Sequence, residues 1–154
     1  MKRVALIALL LVLATGPLSS GEITRGPTYA GEFVADPEAT VDFELIKRNG
    51  VPSKLRFNAR GIQILCEDDS RSRRYDRLGV EAEFLGPRVF EGRIIPIPNR
   101  GFQELFKLQG RLRSDGSAQG FVFYWQTDSG ETLDEKVVEC STEGLLRWTA
   151  EEVG

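Results

Sequence analysis

Hydrophobic and polar residues alternate along most of the chain, which is the pattern of β-strands with one buried and one solvent-facing side. The segment 41–45 reads VDFEL, and a return strand is predicted over 54–60, where Leu, Phe and Ala alternate with polar residues. Between them, Asn49 and Gly50 give a strong hairpin signal, because both residue types accept positive φ. The pattern therefore predicts an antiparallel hairpin over 41–60.

The apolar positions change phase at Gly61, after which they fall on Ile62, Ile64 and Cys66. A β-bulge at Gly61 would absorb this shift of one residue. The bulge would also decide which side of the sheet Cys66 faces. The stretch 67–77 that follows reads EDDSRSRRYDR, and its charge predicts an exposed loop.

Further alternating stretches, separated by turn residues, predict the remaining strands. They cover 28–33, 78–84, 89–95, 102–112, 120–126, 132–140 and 146–150. Large side chains occupy both faces of 120–126, which is typical of a wall covered on both sides. About eight short strands with Gly-rich turns predict an all-β fold, an antiparallel meander that forms a small barrel or a two-sheet sandwich.

The first residues differ from the rest of the chain. Lys2 and Arg3 precede an apolar run over 4–14, and small residues dominate 15–21. This order is typical of a secretory signal peptide, and the run is shorter than the ~20 residues that a spanning helix needs. The sequence predicts a signal peptide over 1–21 and a single all-β domain over 22–154. The expected location is secreted, or in the periplasm or cell envelope, with no stable membrane insertion after cleavage.

Net charge limits the partners. Loss of Lys2 and Arg3 with the signal peptide leaves 18 basic against 23 acidic residues, a formal charge of −5. An acidic chain argues against nucleic acid or an anionic membrane as the main partner, because both favour clustered positive charge. The oligomeric state stays open.

The chain carries two cysteines, Cys66 and Cys140. Exported proteins meet an oxidising environment, and two cysteines allow one intramolecular pairing. We therefore predict a structural disulfide between them. A loop of this length should restrict the unfolded chain by roughly 4 kcal/mol in the entropy model.

Short motifs spread over nearly the whole mature chain support a resemblance. They are Tyr29-Ala30-Gly31, Cys66 at the end of the third strand, Ile95-Pro96-Ile97-Pro98-Asn99, Ala118-Gln119-Gly120, and Cys140 followed by Gly144 and Trp148-Thr149-Ala150. Together they resemble a family of small exported bacterial all-β domains of uncharacterised function. The resemblance implies a bacterial source and a cystine that joins the third strand to the approach of the last strand. It assigns no catalytic or binding residues.

The sequence contains no histidine, which excludes Ser-His-Asp and Cys-His catalysis and His-ligated zinc. Phosphate loops and dinucleotide fingerprints are also missing. We therefore predict no catalytic residue, cofactor or metal ligand. Carboxylate chemistry remains for an enzyme, and a glycosidase pair needs two acids about 5–10 Å apart. Glu81 with Glu83, or Glu139, are candidates, against the simpler interpretation of solvated strand faces.

Three aromatic residues are candidates for contact with a ligand, namely Tyr124, Trp125 and Trp148. They could line a cavity if the strands close into a roomy barrel. Tyr124 and Trp125 carry a polar tip that needs a partner when buried. Packing in the core is the competing interpretation.

Four arginines form a candidate anion-binding loop, namely Arg71, Arg73, Arg74 and Arg77. Guanidinium forks suit carboxylate and phosphate, although the acids just before them could neutralise the cluster. The sequence thus predicts an exported non-enzymatic binding or interaction module, whose partner is an unknown ligand or a cell-envelope component. A carboxylate-based glycan hydrolase and a purely structural envelope protein stay open as alternatives.

Overall fold

The computed structural model describes residues 21–67, 73–95, 102–128 and 138–153. These residues form nine β-strands and no helix, which confirms the all-β class. The strands are β1 (Ile23–Phe33), β2 (Asp36–Arg48), β3 (Val51–Cys66), β4 (Arg73–Phe84), β5 (Val89–Ile94), β6 (Gln103–Leu112), β7 (Ser117–Asp128), β8 (Val138–Ser141) and β9 (Leu146–Val153). Residues 1–20, which hold nearly all of the predicted signal peptide, lie outside the described residues.

The strands close into an antiparallel ring. Each strand from β1 to β7 pairs with the next one along the chain, and β9 lies between β7 and β1. The short strand β8 bridges the ends of β3 and β7. The predicted antiparallel meander is confirmed, and its form is a closed barrel-like ring.

The hairpin and the bulge form where the sequence predicts them. Asn49 and Gly50 have φ values of 53° and 77°, and they turn β2 into β3. Gly61 has a φ of 66°, and the pairing of β3 with β4 shifts register between Ala59 and Ile62. The shift turns the residues after it inward, so that Cys66 faces the interior.

The prediction of a loop over 67–77 is wrong for residues 73–77, because β4 begins at Arg73. Tyr75 and Arg77 are half-buried on the inner side, while Asp76 between them is exposed. Leu78, the first apolar position of the strand predicted over 78–84, is 48% exposed. Gly79 follows it with a φ of 70°. The alternation changes phase here, because the inward residues are Tyr75 and Arg77 before this glycine and Val80 and Ala82 after it.

The core is centred on Trp148, which is fully buried. Its indole ring lies 5.8 Å from the ring of Phe43, 5.4 Å from Phe57 and 6.2 Å from Phe90, measured between centroids. The indole Nε1 is buried and has no hydrogen-bond partner among the described residues. Aromatic side chains from β2, β3 and β5 therefore anchor the last strand in the wall of the ring.

Two glycines make room for this indole. Gly110 on β6 and Gly120 on β7 are direct cross-strand partners. A Cβ atom added to Gly110 would collide first with the ring of Phe90 and would lie 2.8 Å from Cζ2 of Trp148. One added to Gly120 would meet that same carbon of Trp148 and the carbonyl oxygen of Gln109. Because no side chain fits there, glycine at both positions lets the large ring lie against the wall.

The predicted disulfide is confirmed, since Cys66 is bonded to Cys140. The two residues are direct partners in the pairing of β3 with β8, with their Cα atoms 4.0 Å apart. The bond thus joins the end of the third strand to the short strand that precedes β9. Of the strand predicted over 132–140, residues 132–137 lie outside the described part of the chain.

Candidate functional site

The three predicted ligand-facing aromatics do not come together. Tyr124 and Trp148 are fully buried in the filled interior. Trp125 is half-buried on the outer face of β7, where its indole Nε1 donates a hydrogen bond to Oε2 of Glu139 at 3.4 Å. Contact of these three residues with a ligand stays a prediction. In the structure, Tyr124 and Trp148 pack as core residues.

The predicted arginine cluster is also divided. Arg71 lies outside the described residues, as does the side chain of Arg73. Arg74 lies on the surface, with Nη2 2.7 Å from Oε2 of Glu38 and Nη1 donating to the carbonyl oxygen of Gly61. Arg77 turns toward the interior. Anion binding by this group stays a prediction.

A polar cluster occupies the inner side of the ring near the start of β4. The ring of Tyr75 stacks on that of Tyr124, with centroids 4.5 Å apart. The Tyr75 hydroxyl donates to Oε1 of Glu104 at 3.1 Å, and Nε of Arg77 lies 3.2 Å from the same oxygen. The Tyr124 hydroxyl donates to Oε1 of Gln126 at 2.7 Å. The cluster gives both tyrosine hydroxyls an acceptor. Nε of Arg77 makes an ion pair with Glu104 but no hydrogen bond of good geometry among the described residues.

Both phenols in this cluster are held in the neutral form. Burial raises the pKa of Tyr124 well above its usual range, and the neighbouring Tyr75 and the charge of Glu104 raise it further. Burial likewise raises the pKa of Tyr75. Both tyrosines therefore act as hydrogen-bond donors, Tyr75 to a side chain of β6 and Tyr124 to one of its own strand, and these contacts stabilise the sheet.

Sequence reasoning missed Glu104, although a signal was present. Glu104 lies two and four residues before Phe106 and Leu108, which are buried. Alternation therefore predicts that this acidic residue lies on the inner face of β6. An inward carboxylate requires a partner, and the charged stretch before residue 78 supplies it through Arg77.

The candidate hydrolytic acids lie on solvated faces. Glu81 and Glu83 project outward from β4, with their carboxylates 3.9 and 3.5 Å from Nζ of Lys54. Glu139 is exposed on β8. A role for them in catalysis stays a prediction.

The outer face of β5, β6, β7 and β9 carries two adjacent grooves, which we call together the outer trough. The larger has a volume of about 390 Å³, and its outward-facing lining includes Gln109, Arg111, Gln119, Phe121 and Arg147. The smaller has a volume of about 200 Å³, and its outward-facing lining includes Arg93, Lys107, Gln109, Phe121 and Leu145. The two grooves share Phe121 and Gln109, and Glu91 also lines both.

Cross-strand register brings these side chains side by side. Gln109 is the direct partner of Phe121, which is in turn the partner of Arg147 on the other side of β7. Arg93 is the direct partner of Lys107. Residues two apart on a strand share a face, so Lys107, Gln109 and Arg111 all point outward from β6.

The four cations of the trough are Arg93, Lys107, Arg111 and Arg147. Within the described parts of the chain, none of them lies within 4.0 Å of a carboxylate oxygen. On the outer face of β3, Lys54 and Arg60 have acidic partners, whereas Arg56 between them has none in the part of the chain that the structure describes. Among the described residues, Lys47, Arg48, Arg56 and Arg88 likewise have no acidic partner and lie outside the trough. The trough thus combines four unpaired cations with one carboxylate, that of Glu91.

Apolar side chains accompany these cations on the outer face. Phe121 is 43% exposed, and Leu145, the residue before β9, is 67% exposed. Phe123 and Trp125 continue the outward row along β7. Because large residues occupy both faces of this strand, the sequence predicts that other parts of the protein cover both of its faces. The structure corrects this, because Phe121 opens to solvent in the trough.

Comparisons with protein-family models, curated proteins and solved structures gave no match. No helix among the described residues is long and apolar enough to cross a membrane. Within the same residues, no group of three or more acids or cysteines is placed to hold a metal ion.

Proposed function

We propose that this protein is an exported, non-enzymatic binding module whose ligand occupies the outer trough. The observation that supports the proposal is the exposed ring of Phe121, set in a concave surface between the guanidinium of Arg147 and the amide of Gln109. A concave surface with an apolar base and a few convergent polar groups is the usual composition of a binding site.

The fold supports this use of its outer face. Other side chains fill the interior, so the exposed ring of Phe121 is not needed for core packing. β6 and β7 are each paired on both sides, which holds the side chains of the trough on a rigid base. Preorganised contacts lose little conformational entropy when a ligand binds.

Export is part of the same proposal. The Cys66–Cys140 disulfide is compatible with a location outside the cytoplasm, where such bonds persist. The predicted signal peptide over 1–21 would direct the chain there. We propose a bacterial source and a periplasmic, cell-envelope or secreted location. Catalysis by surface carboxylates and a purely structural role stay predictions.

Expression of the full chain in a bacterial host is expected to yield an exported product that begins at Glu22 and contains no free thiol. Signal peptidase removes the basic and apolar start, and the oxidising compartment closes the disulfide. Intact-mass measurement of the periplasmic and medium fractions, with and without reductant, checks both. A product that retains residues 1–21 in the cytoplasmic fraction would contradict export.

Phe121→Ala is expected to weaken ligand retention about tenfold, because the variant loses the apolar base of both grooves. We would measure retention of the purified protein on arrays that carry neutral polysaccharides, acidic polysaccharides, acidic peptides and anionic vesicles. The matched control is Phe102→Ala, which removes a phenylalanine of similar exposure that lines neither groove. The proposal fails if no probe retains the wild type, or if the two variants lose retention equally.

A further inference from the structure

We infer that the ligand of the outer trough is an acidic polysaccharide, whose anionic groups contact two separate pairs of cations while a sugar ring packs on Phe121. The inference rests on the proposed function and names the ligand class of that site. It follows from three features of the trough: the placement of its charges, the kinds of polar groups between them, and the pairing of the strands beneath.

The positive charges form two pairs on either side of a shared centre. Arg111 and Arg147 line the larger groove, and Arg93 and Lys107 line the smaller one. Phe121, Gln109 and Glu91 lie in both grooves, and Glu91 is the direct cross-strand partner of Gln109, so one carboxylate lies between the two cation pairs. A ligand that crosses this centre therefore meets a cation pair at each end, which suits a chain with repeated carboxylate or sulfate groups.

The distance between the pairs requires a ligand longer than one sugar. Lys107 and Arg111 both point outward from β6 and are four residues apart, which corresponds to roughly 13 Å along a strand. A monosaccharide cannot reach both cations. An oligosaccharide that reaches both gains from the second contact without a further loss of translational freedom.

The uncharged groups of the trough suit a sugar. The side chains of Gln109 and Gln119 each provide a donor and an acceptor, which is what hydroxyl groups need because they also donate and accept. The Phe121 ring offers a flat apolar surface with a negative face, on which the C–H face of a sugar ring can pack. Sugar hydroxyls, C–H faces and carboxylates thus each find a matching group.

The pairing of the strands disfavours an extended peptide. β6 and β7 use their backbone hydrogen bonds on both sides, so a peptide cannot add to the sheet as a further strand at the trough. A flat anionic membrane is also disfavoured. The trough is concave, and a membrane would also face Glu81 and Glu83, which line the groove beside it. A single polysaccharide chain can lie along the trough, with the more distant charges screened beyond about 8 Å at physiological salt.

The test compares two polymers with the same backbone. Polygalacturonate carries a carboxylate on each sugar, and its fully methyl-esterified form has that charge removed. We would measure binding of both to the mature, oxidised protein by isothermal titration calorimetry, in 50 and 300 mM salt. The expected result is at least about tenfold tighter binding of the acidic polymer, with a loss of affinity at the higher salt concentration.

Charge-removing variants test the two pairs separately. Arg111→Gln with Arg147→Gln, and Arg93→Gln with Lys107→Gln, should each weaken binding of polygalacturonate about tenfold. The matched control is Lys54→Gln with Arg60→Gln, which removes the same charge from the outer face of β3 and should change the affinity less than about twofold. Thermal melts of all three variants check that the ring is intact.

Galacturonate monomer should bind at least about tenfold more weakly than a tetramer.

The outcomes separate this inference from the proposed function. If the esterified polymer binds as tightly as the acidic one, and Phe121→Ala abolishes binding of both, the ligand class is wrong and the trough remains the binding site. The same conclusion follows if anionic vesicles, acidic peptides or a second copy of the chain bind through the four cations while polygalacturonate does not. If no probe binds, both proposals fail.

Discussion

Trp148→Ala is expected to lower the free energy of unfolding by about 3–5 kcal/mol. The indole is fully buried among the rings of Phe43, Phe57 and Phe90, and the facing glycines provide no side chain that could fill the space. Removal of the ring would leave a cavity between these three rings and the backbone of β6 and β7, and the backbone side cannot collapse easily. Since small domains are stable by only about 5–15 kcal/mol in total, the loss should be visible as a large shift in a urea denaturation curve.

Trp125→Ala provides the matched control. It removes the same ring from the outer face of β7, where the side chain is half-buried, and we expect a loss of about 1 kcal/mol or less. The two curves should share a similar slope and differ in midpoint. Equal losses in the two variants would show that Trp148 is not the centre of the core.

Loss of the disulfide is the second large effect that we expect. Replacing Cys66 and Cys140 together by alanine should destabilise the protein by about 4 kcal/mol, because the bond joins residues 74 apart and restricts the unfolded chain. The bond also fixes β8 against the end of β3. Equilibrium unfolding of the oxidised wild type and of the double variant measures the difference.

The reduced wild type serves as the control for this variant. It should unfold at nearly the same urea concentration as the double variant, since both have an unrestricted loop. A difference of less than about 1 kcal/mol between oxidised protein and double variant would show that the ring is stable without the bond, and that the entropy model overstates its effect. A variant already unfolded without urea would mean a larger contribution than expected.

The separation of inner and outer faces has a consequence for function. The inward residues of the ring fill its interior, and the polar cluster of Tyr75, Glu104 and Tyr124 occupies the inner side near the start of β4. A closed ring with a filled interior leaves its outer face as the place where side chains can vary without loss of packing. Core and binding variants should therefore have separable effects, with Trp148→Ala acting on stability and Phe121→Ala on retention.

The local elements of this protein follow from its sequence. Period-2 alternation predicts the β2–β3 hairpin, Gly61 predicts the bulge, and the pair of cysteines predicts the disulfide. Each depends on neighbouring residues or on a single possible pairing. Strand periodicity is read over a few residues, so no knowledge of the distant chain is needed. The same rule locates Leu55, Phe57 and Ala59 on the inner face.

The closure of the ring and the position of the trough were decided by the tertiary structure. β9 inserts between β1 and β7, and this pairing brings Arg147 beside Phe121, although 26 positions separate them in the sequence. The inward turn of Arg77 and its contact with Glu104 depend in the same way on how distant strands meet. Alternation indicates which face of a strand is buried, whereas the register between strands determines which residues become neighbours. That register depends on contacts formed across the whole ring.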